Sequence, residues 1–319
     1  MKTSLTCALL AGMVTLPARA QTLSPAGEIK SPCDVSGVVL APTGQEIVVS
    51  CAGNKLRTFS MADGKLQLTI DGGSTQMTAV AYSANGKRIA IANVKGEVRV
   101  FDSATGVTIQ SLTPSTTVTY GIALSTDGHI LAVAPAEKPV QLWDVDHRKL
   151  IASLENPFSG SSALAFSANG RLLASADNDA VVRVYDAVTG KLRSRYDELL
   201  METFSVGFSL DSKQLAIGGA DRVVVLVDPL TGKEIRRLPT QQDPIGYVAV
   251  LPDGKTVVAS MFNVDHMSEA RNTVAWDLIS SKPTIVASGK SFMAGAALPD
   301  GRMMLASVDG RVVKLWSIR

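Results

Sequence analysis

The chain has 319 residues, of which 46% are hydrophobic and 19% charged. That is the composition of a well-cored globular protein and excludes a disordered or fibrous one. Its 31 basic and 29 acidic residues leave a formal charge of +2, with no basic run that could follow a nucleic-acid backbone, so nucleic acid is not an expected partner.

The chain opens on a targeting segment. Lys2 supplies a basic start, SLTCALLAGMVTLP is apolar but too short to span a bilayer, and Ala18, Arg19 and Ala20 form an A-x-A pattern. Cleavage is predicted after Ala20, removing residues 1–20. Loss of Lys2 and Arg19 leaves 29 basic against 29 acidic residues, a formally neutral mature chain with no charge to steer a partner. Cys7 lies near the start of the apolar stretch and not after it, which argues against lipidation. No later segment is apolar enough to insert stably in a membrane, so the expectation is a soluble exported protein, periplasmic or secreted. Of the three cysteines only Cys33 and Cys51 remain in the mature chain. An even pair in an oxidising compartment suggests a disulfide, with two free buried thiols as the alternative.

Next comes a repeat. NGKRIAIANVKGEVRVFDSATG from Asn85, NGRLLASADNDAVVRVYDAVTGK from Asn169 and DSKQLAIGGADRVVVLVDPLTGK from Asp211 are versions of one phrase. Its turn position falls at Gly44, Gly86, Gly128, Gly170, Ser212, Gly254 and Gly301, so the first five steps are each 42 residues and the last is 47. Fifteen residues after each turn, except in the sixth copy, a bulky residue closes a strand: Phe59, Phe101, Trp143, Tyr185, Val227, Trp276 and Trp316. Each copy reads as four short antiparallel strands. The fourth runs LAFS, turn SANG, RLLASA, turn DNDA, VVRVYD, turn AVTG, KLRSRY, with no helical period anywhere.

The first strand of each copy is small on one face. Seven residues before the turn stand Gly37, Ala79, Gly121, Ala163, Ser205, Tyr247 and Ala294; five before it stand Val39, Ala81, Ala123, Ala165, Gly207, Ala249 and Ala296. The intervening positions are mostly large. Inner strands that converge on an axis need one small side so that the neighbouring sheet can approach. The expected fold is therefore all-β, a seven-bladed β-propeller of four-stranded antiparallel blades.

These residues resemble the WD-repeat β-propeller family, whose blades repeat every 40 to 45 residues or so. Trp143-Asp144 and Trp276-Asp277 match its signature pair, and Phe101-Asp102, Tyr185-Asp186 and Val227-Asp228 are variants. No copy has the family's Gly-His dipeptide before the first strand, so a histidine-centred network is not expected. The family's hairpin aspartate is present as Asp179 and Asp221 and replaced by Lys95, Glu137 and Gly310 elsewhere. The resemblance implies a non-catalytic platform for protein partners, bound at the loops entering the inner strands, on a monomeric propeller.

The last copy ends at Arg319 after its third strand, one strand short. Residues Leu23 to Lys30 are placed to pair on that edge and close the ring, the alternative being a disordered mature N-terminus.

Candidate site residues follow from departures. In the sixth copy 22 residues, not 15, separate Gly254 from Trp276, enlarging the hairpin FNVDHMSEARNT with Asp265, His266, Glu269 and Arg271. It reads either as a partner-binding finger or as a tolerated surface insertion. One histidine with nearby carboxylates is too few ligands for a metal site. Tyr120, Glu202, Phe204, Tyr247 and Phe292 stand at the same end and suit an interface, with Phe158, Met201 and Met293 beside them. His129 and His147 read as solvated turn residues. No nucleophile elbow, dinucleotide fingerprint or phosphate loop is present, so no catalytic residue and no cofactor is assigned. The alternatives are a channel-centred enzyme, quinoprotein-like or lactonase-like, with acids, histidines or arginines converging on the axis, and a small-ligand or metal binder in the channel.

Overall fold

The computed structural model describes residues 23–51, 54–155, 160–262, 270–280, 282–287 and 294–318. Its strands, β1 to β28 in chain order, form seven four-stranded antiparallel sheets. Blade 1 consists of β2 (Val35–Leu40), β3 (Glu46–Cys51), β4 (Lys55–Ser60) and β5 (Leu66–Asp71), and blades 2 to 6 follow the same order through β25 (Pro283–Ala287). Neighbouring blades meet chiefly through their first strands, which therefore surround the axis.

The small face of the first strand does what its pattern predicts. A Cβ on Gly207 would stand 3.0 Å from the Val248 carbonyl oxygen of the next blade. Gly295 receives the large exception in the series, because a Cβ there would lie 2.1 Å from the Tyr247 hydroxyl. Most closing positions of the third strands belong to the core: Trp276 and Tyr185 are fully buried, Phe101 is 1% exposed and Phe59 2%, while Trp143 and Trp316 are half-buried against it. Each such side chain contributes roughly 1.5–3 kcal/mol by leaving water.

Turn chemistry explains the period. The seven turn positions sit in the left-handed region, from +61° at Ser212 to +80° at Gly128 and Gly301, where glycine carries no penalty. In blades 2 to 6 the aspartate after the bulky residue caps the next turn: Asp102 Oδ1 accepts from the Thr105 amide (2.9 Å) and hydroxyl (2.7 Å), and Asp186 Oδ1 does the same with Thr189 at 2.8 Å each. The Thr105 hydroxyl and amide hold Asp102 below the usual carboxylate range, and Arg193 with Thr189 does so for Asp186. His129 and His147 lie in these turns as expected, paired to Asp146 and Asp144.

The seventh sheet consists of β26 (Ala294–Ala297), β27 (Met303–Asp309), β28 (Val312–Ile318) and, as its outer strand beside β28, β1 (Ser24–Lys30). It runs antiparallel to β28 (Val312–Ile318), from Ser24 opposite Ser317 to Lys30 opposite Val312. Ile29, 1% exposed, packs into a cluster with Leu40 and Ile47 of blade 1 and Val313 and Leu315 of blade 7. Beyond β1, the Ser31 amide donates to the Arg311 carbonyl (2.8 Å) and Arg311 pairs with Asp34 (2.9 Å). The N-terminal strand therefore closes the ring.

Candidate interaction surface

Among the described residues, the entries to first strands and the hairpins between second and third strands lie at one end of the propeller. In blades 1 to 6 the register shifts there by one residue, at Ser36, Thr78, Tyr120, Ser162, Phe204 and Gly246. A bulge of this kind turns a side chain out of the ladder. Thr78 and Ser162 use the freedom to donate to the carbonyls of Thr119 and Thr203 in the next blade. Tyr120 and Phe204 occupy the equivalent positions with aromatic rings, Tyr120 half exposed and Phe204 half buried.

Between β17 (Leu192–Tyr196) and β18 (Thr203–Phe208), residues 197–202 project from this end. Their backbone is tied down on both sides: the Leu200 amide donates to Asp221 Oδ2 and the Ala220 amide to the Glu202 carbonyl, each at 2.8 Å. Leu200 is nevertheless 90% exposed and Met201 54%. Glu202 is exposed beside them. Sequence reading missed Leu200; the signal available was an apolar pair, Leu199-Leu200, between acidic residues in a loop.

Tyr247 stands elsewhere. It lines the wall between blades 6 and 7, packed in a cluster with Leu251, Met303 and Leu305, and burial pushes its phenol up. Asp265, His266, Glu269, Phe158, Phe292 and Met293 lie outside the described residues. Arg271 falls in β24 (Ala270–Asp277), which pairs with β23 (Thr256–Phe262) out to Phe262 opposite Ala270. At eight residues, β24 exceeds the five of β8 (Val98–Asp102), so part of the insertion extends the ladder.

The cysteines form a disulfide, with Cα atoms 5.7 Å apart. Pairing sums place Ser36 opposite Cys51, but the bulge moves Val35 there, which brings Cys33 into reach. Arg57, on the neighbouring β4, points Nη1 at both sulfurs, 2.8 Å from Cys51 Sγ and 3.3 Å from Cys33 Sγ. Blade 4 carries a different link at the same place. Ser161 donates to Asp177, whose other oxygen accepts from Arg183 Nη1 at 2.6 Å, and Arg183 Nη2 pairs with Asp179 at 2.8 Å. The Asp177 and Arg183 side chains are 0% and 7% exposed.

The axis holds a cavity of about 410 Å³, bordered by Leu40, Tyr82, Phe166, Phe208, Tyr247 and Met303 among others. Its described lining includes no acid, histidine, lysine or arginine, so the converging charged ring that channel catalysis would need is not among these residues. No group of three or more metal-ligating side chains occurs among the described residues, and none of their helices is long and apolar enough to cross a membrane.

Seven four-stranded antiparallel blades in a closed ring define a β-propeller. Residues 148–186, from the outer strand of blade 3 to the third strand of blade 4, match the family model of the WD domain, G-beta repeat. The chain is a seven-bladed β-propeller with a stretch similar to the WD repeat, and WD-repeat propellers commonly mediate protein interactions. No curated protein matches the sequence.

Proposed function

We propose that the chain is an exported, non-catalytic propeller acting as a protein-interaction platform in the cell envelope, with its partner seated on the entry end. The observation that carries this is Leu200, 90% exposed on a loop fixed by two hydrogen bonds. A large apolar side chain held in water on a rigid backbone costs stability and is ready to bind without further ordering. Met201, Tyr120 and Phe204 at the same end supply the apolar and aromatic surface that interface centres favour. Export is supported by the A-x-A segment ahead of β1 and by the disulfide, which persists in oxidising compartments.

Two measurements test the reading. Fractionation with an N-terminal mass determination should find a chain beginning at Gln21 outside the cytoplasm; an intact Met1 chain in the cytoplasm contradicts export. Affinity purification should return a stoichiometric partner with the wild type and lose it when Leu200 and Met201 are both changed to Ser. Trimming seven residues from the sixth-blade hairpin shows whether that loop shares the surface. A partner retained by the Leu200→Ser/Met201→Ser variant contradicts the assignment of the entry end.

A further inference from the structure

The 42-residue register places Arg57 and Arg183 at the same point of their third strands, and Cys51 and Asp177 at the ends of their second strands. In blade 4 the arginine holds an anion: Arg183 Nη1 lies 2.6 Å from Asp177 Oδ2. In blade 1 the same arm lies 2.8 Å from Cys51 Sγ, and Arg57 has no carboxylate partner among the described residues. A disulfide sulfur is a weak, uncharged acceptor, so the oxidised form leaves the guanidinium without a counter-ion. A Cys51 thiolate would supply one where a carboxylate oxygen stands in blade 4. We infer that Cys33–Cys51 is a thiol–disulfide exchange site for a dithiol reductant, with Arg57 placed to hold the departing Cys51 thiolate.

The exposure of the two sulfurs sets the direction of attack. Cys51 is 2% exposed, whereas Cys33 is half buried on the segment between β1 and β2. One thiolate of the dithiol attacks Cys33 Sγ, forming a mixed disulfide, and Cys51 leaves with the bonding pair as a thiolate beside Arg57. The second thiolate of the reductant attacks its own sulfur in the mixed disulfide, closes the reductant's disulfide and releases Cys33, which takes up a proton. The dithiol is oxidised by two electrons and the protein disulfide reduced by two. A stabilised leaving thiolate speeds exchange and favours the reduced form. The site also bears on ring closure, because Cys33 follows β1 by three residues.

The test uses the full mature chain and dithiothreitol, with alkylation and mass measurement counting free thiols. Arg57→Gln should slow reduction about tenfold or more and shift the equilibrium toward the disulfide, while Arg57→Lys should retain most of the rate. In the reduced wild type, the pH profile of Cys51 alkylation should have its midpoint below the ordinary value of about 8.5, and Arg57→Gln should move it up. Equal rates and equal midpoints in wild type and Arg57→Gln overturn the proposal. A second comparison does not depend on that variant folding. Cys33→Ser/Cys51→Asp rebuilds only the arginine–carboxylate pair of blade 4 and should melt higher at neutral pH than Cys33→Ser/Cys51→Asn; an Asp variant no more stable than the Asn variant shows that Arg57 is not an anion receptor.

Discussion

Arg183→Ala should cost about 3–5 kcal/mol of unfolding free energy, because it leaves the Asp177 carboxylate buried without its cation. Asp177 has no exposed side-chain surface, and burial raises its carboxyl above the ordinary range even with Ser161 and Arg183 bound to it. The folded state therefore binds that proton more tightly than the unfolded chain does. The ionised carboxylate is a cost at neutral pH, and the cost recedes as pH falls through the raised value. Removing Arg183 enlarges the cost, so the deficit of the variant should be greatest at neutral pH and smaller at pH 5, read by denaturant unfolding at both. Replacing the pair together, with Arg183→Met and Asp177→Leu, should recover most of the loss. A deficit below 1 kcal/mol, or one that grows on acidification, would show that Arg183 does not neutralise Asp177.

Removing residues 21–30 has the second large effect. The deletion takes away β1, uncovers the hydrogen-bonding edge of β28 and opens the cluster in which Ile29 touches blades 1 and 7. The single cooperative melt should become broader and begin at lower temperature, and the amides of β28 should exchange with solvent faster than those of the other blades. Ile29→Ala, which keeps the strand, should cost about 2–5 kcal/mol. If the truncated chain melts as the full chain does, with β28 equally protected, β1 does not close the ring.

The propeller was legible because the repeat is local chemistry. Left-handed turns select glycine in six of the seven copies, the turn after the third strand selects aspartate in blades 2 to 6, and the end of the third strand selects a bulky side chain, so these marks recur at the repeat spacing. Ring closure was legible from a count, since a seventh copy with three strands needs a fourth. The surface was harder to read. Tyr120 and Phe204 could be assigned to one end, but their equivalence depends on a bulge that sequence periodicity does not reveal, and the same bulge displaced the expected partner of Cys51 from Ser36 to Val35. Tyr247 looked like an interface residue because it is bulky and was placed with the others at the end where the chain enters the first strands, and it also breaks the small-residue pattern. It breaks that pattern because Gly295 of the next blade leaves room for its ring. The Arg183 network is only half periodic: its arginine recurs as Arg57 and Arg99, but its partner Asp177 stands where blades 1, 2, 3 and 5 carry Cys51, Asn93, Pro135 and Gly219.

Exposed aliphatic residues also mark the opposite end, where Val188, Leu230 and Ile279 occupy the same turn position in blades 4 to 6 and are 63%, 64% and 76% exposed. The two ends carry different lysines. Lys55, Lys95 and Lys138 lie at the entry end, and Lys87, Lys191, Lys213, Lys233 and Lys255 at the other. The most direct measurement is therefore amine-reactive cross-linking of the native complex with mass-spectrometric mapping. The platform reading predicts partner cross-links to Lys55, Lys95 or Lys138; cross-links confined to the opposite set would contradict it.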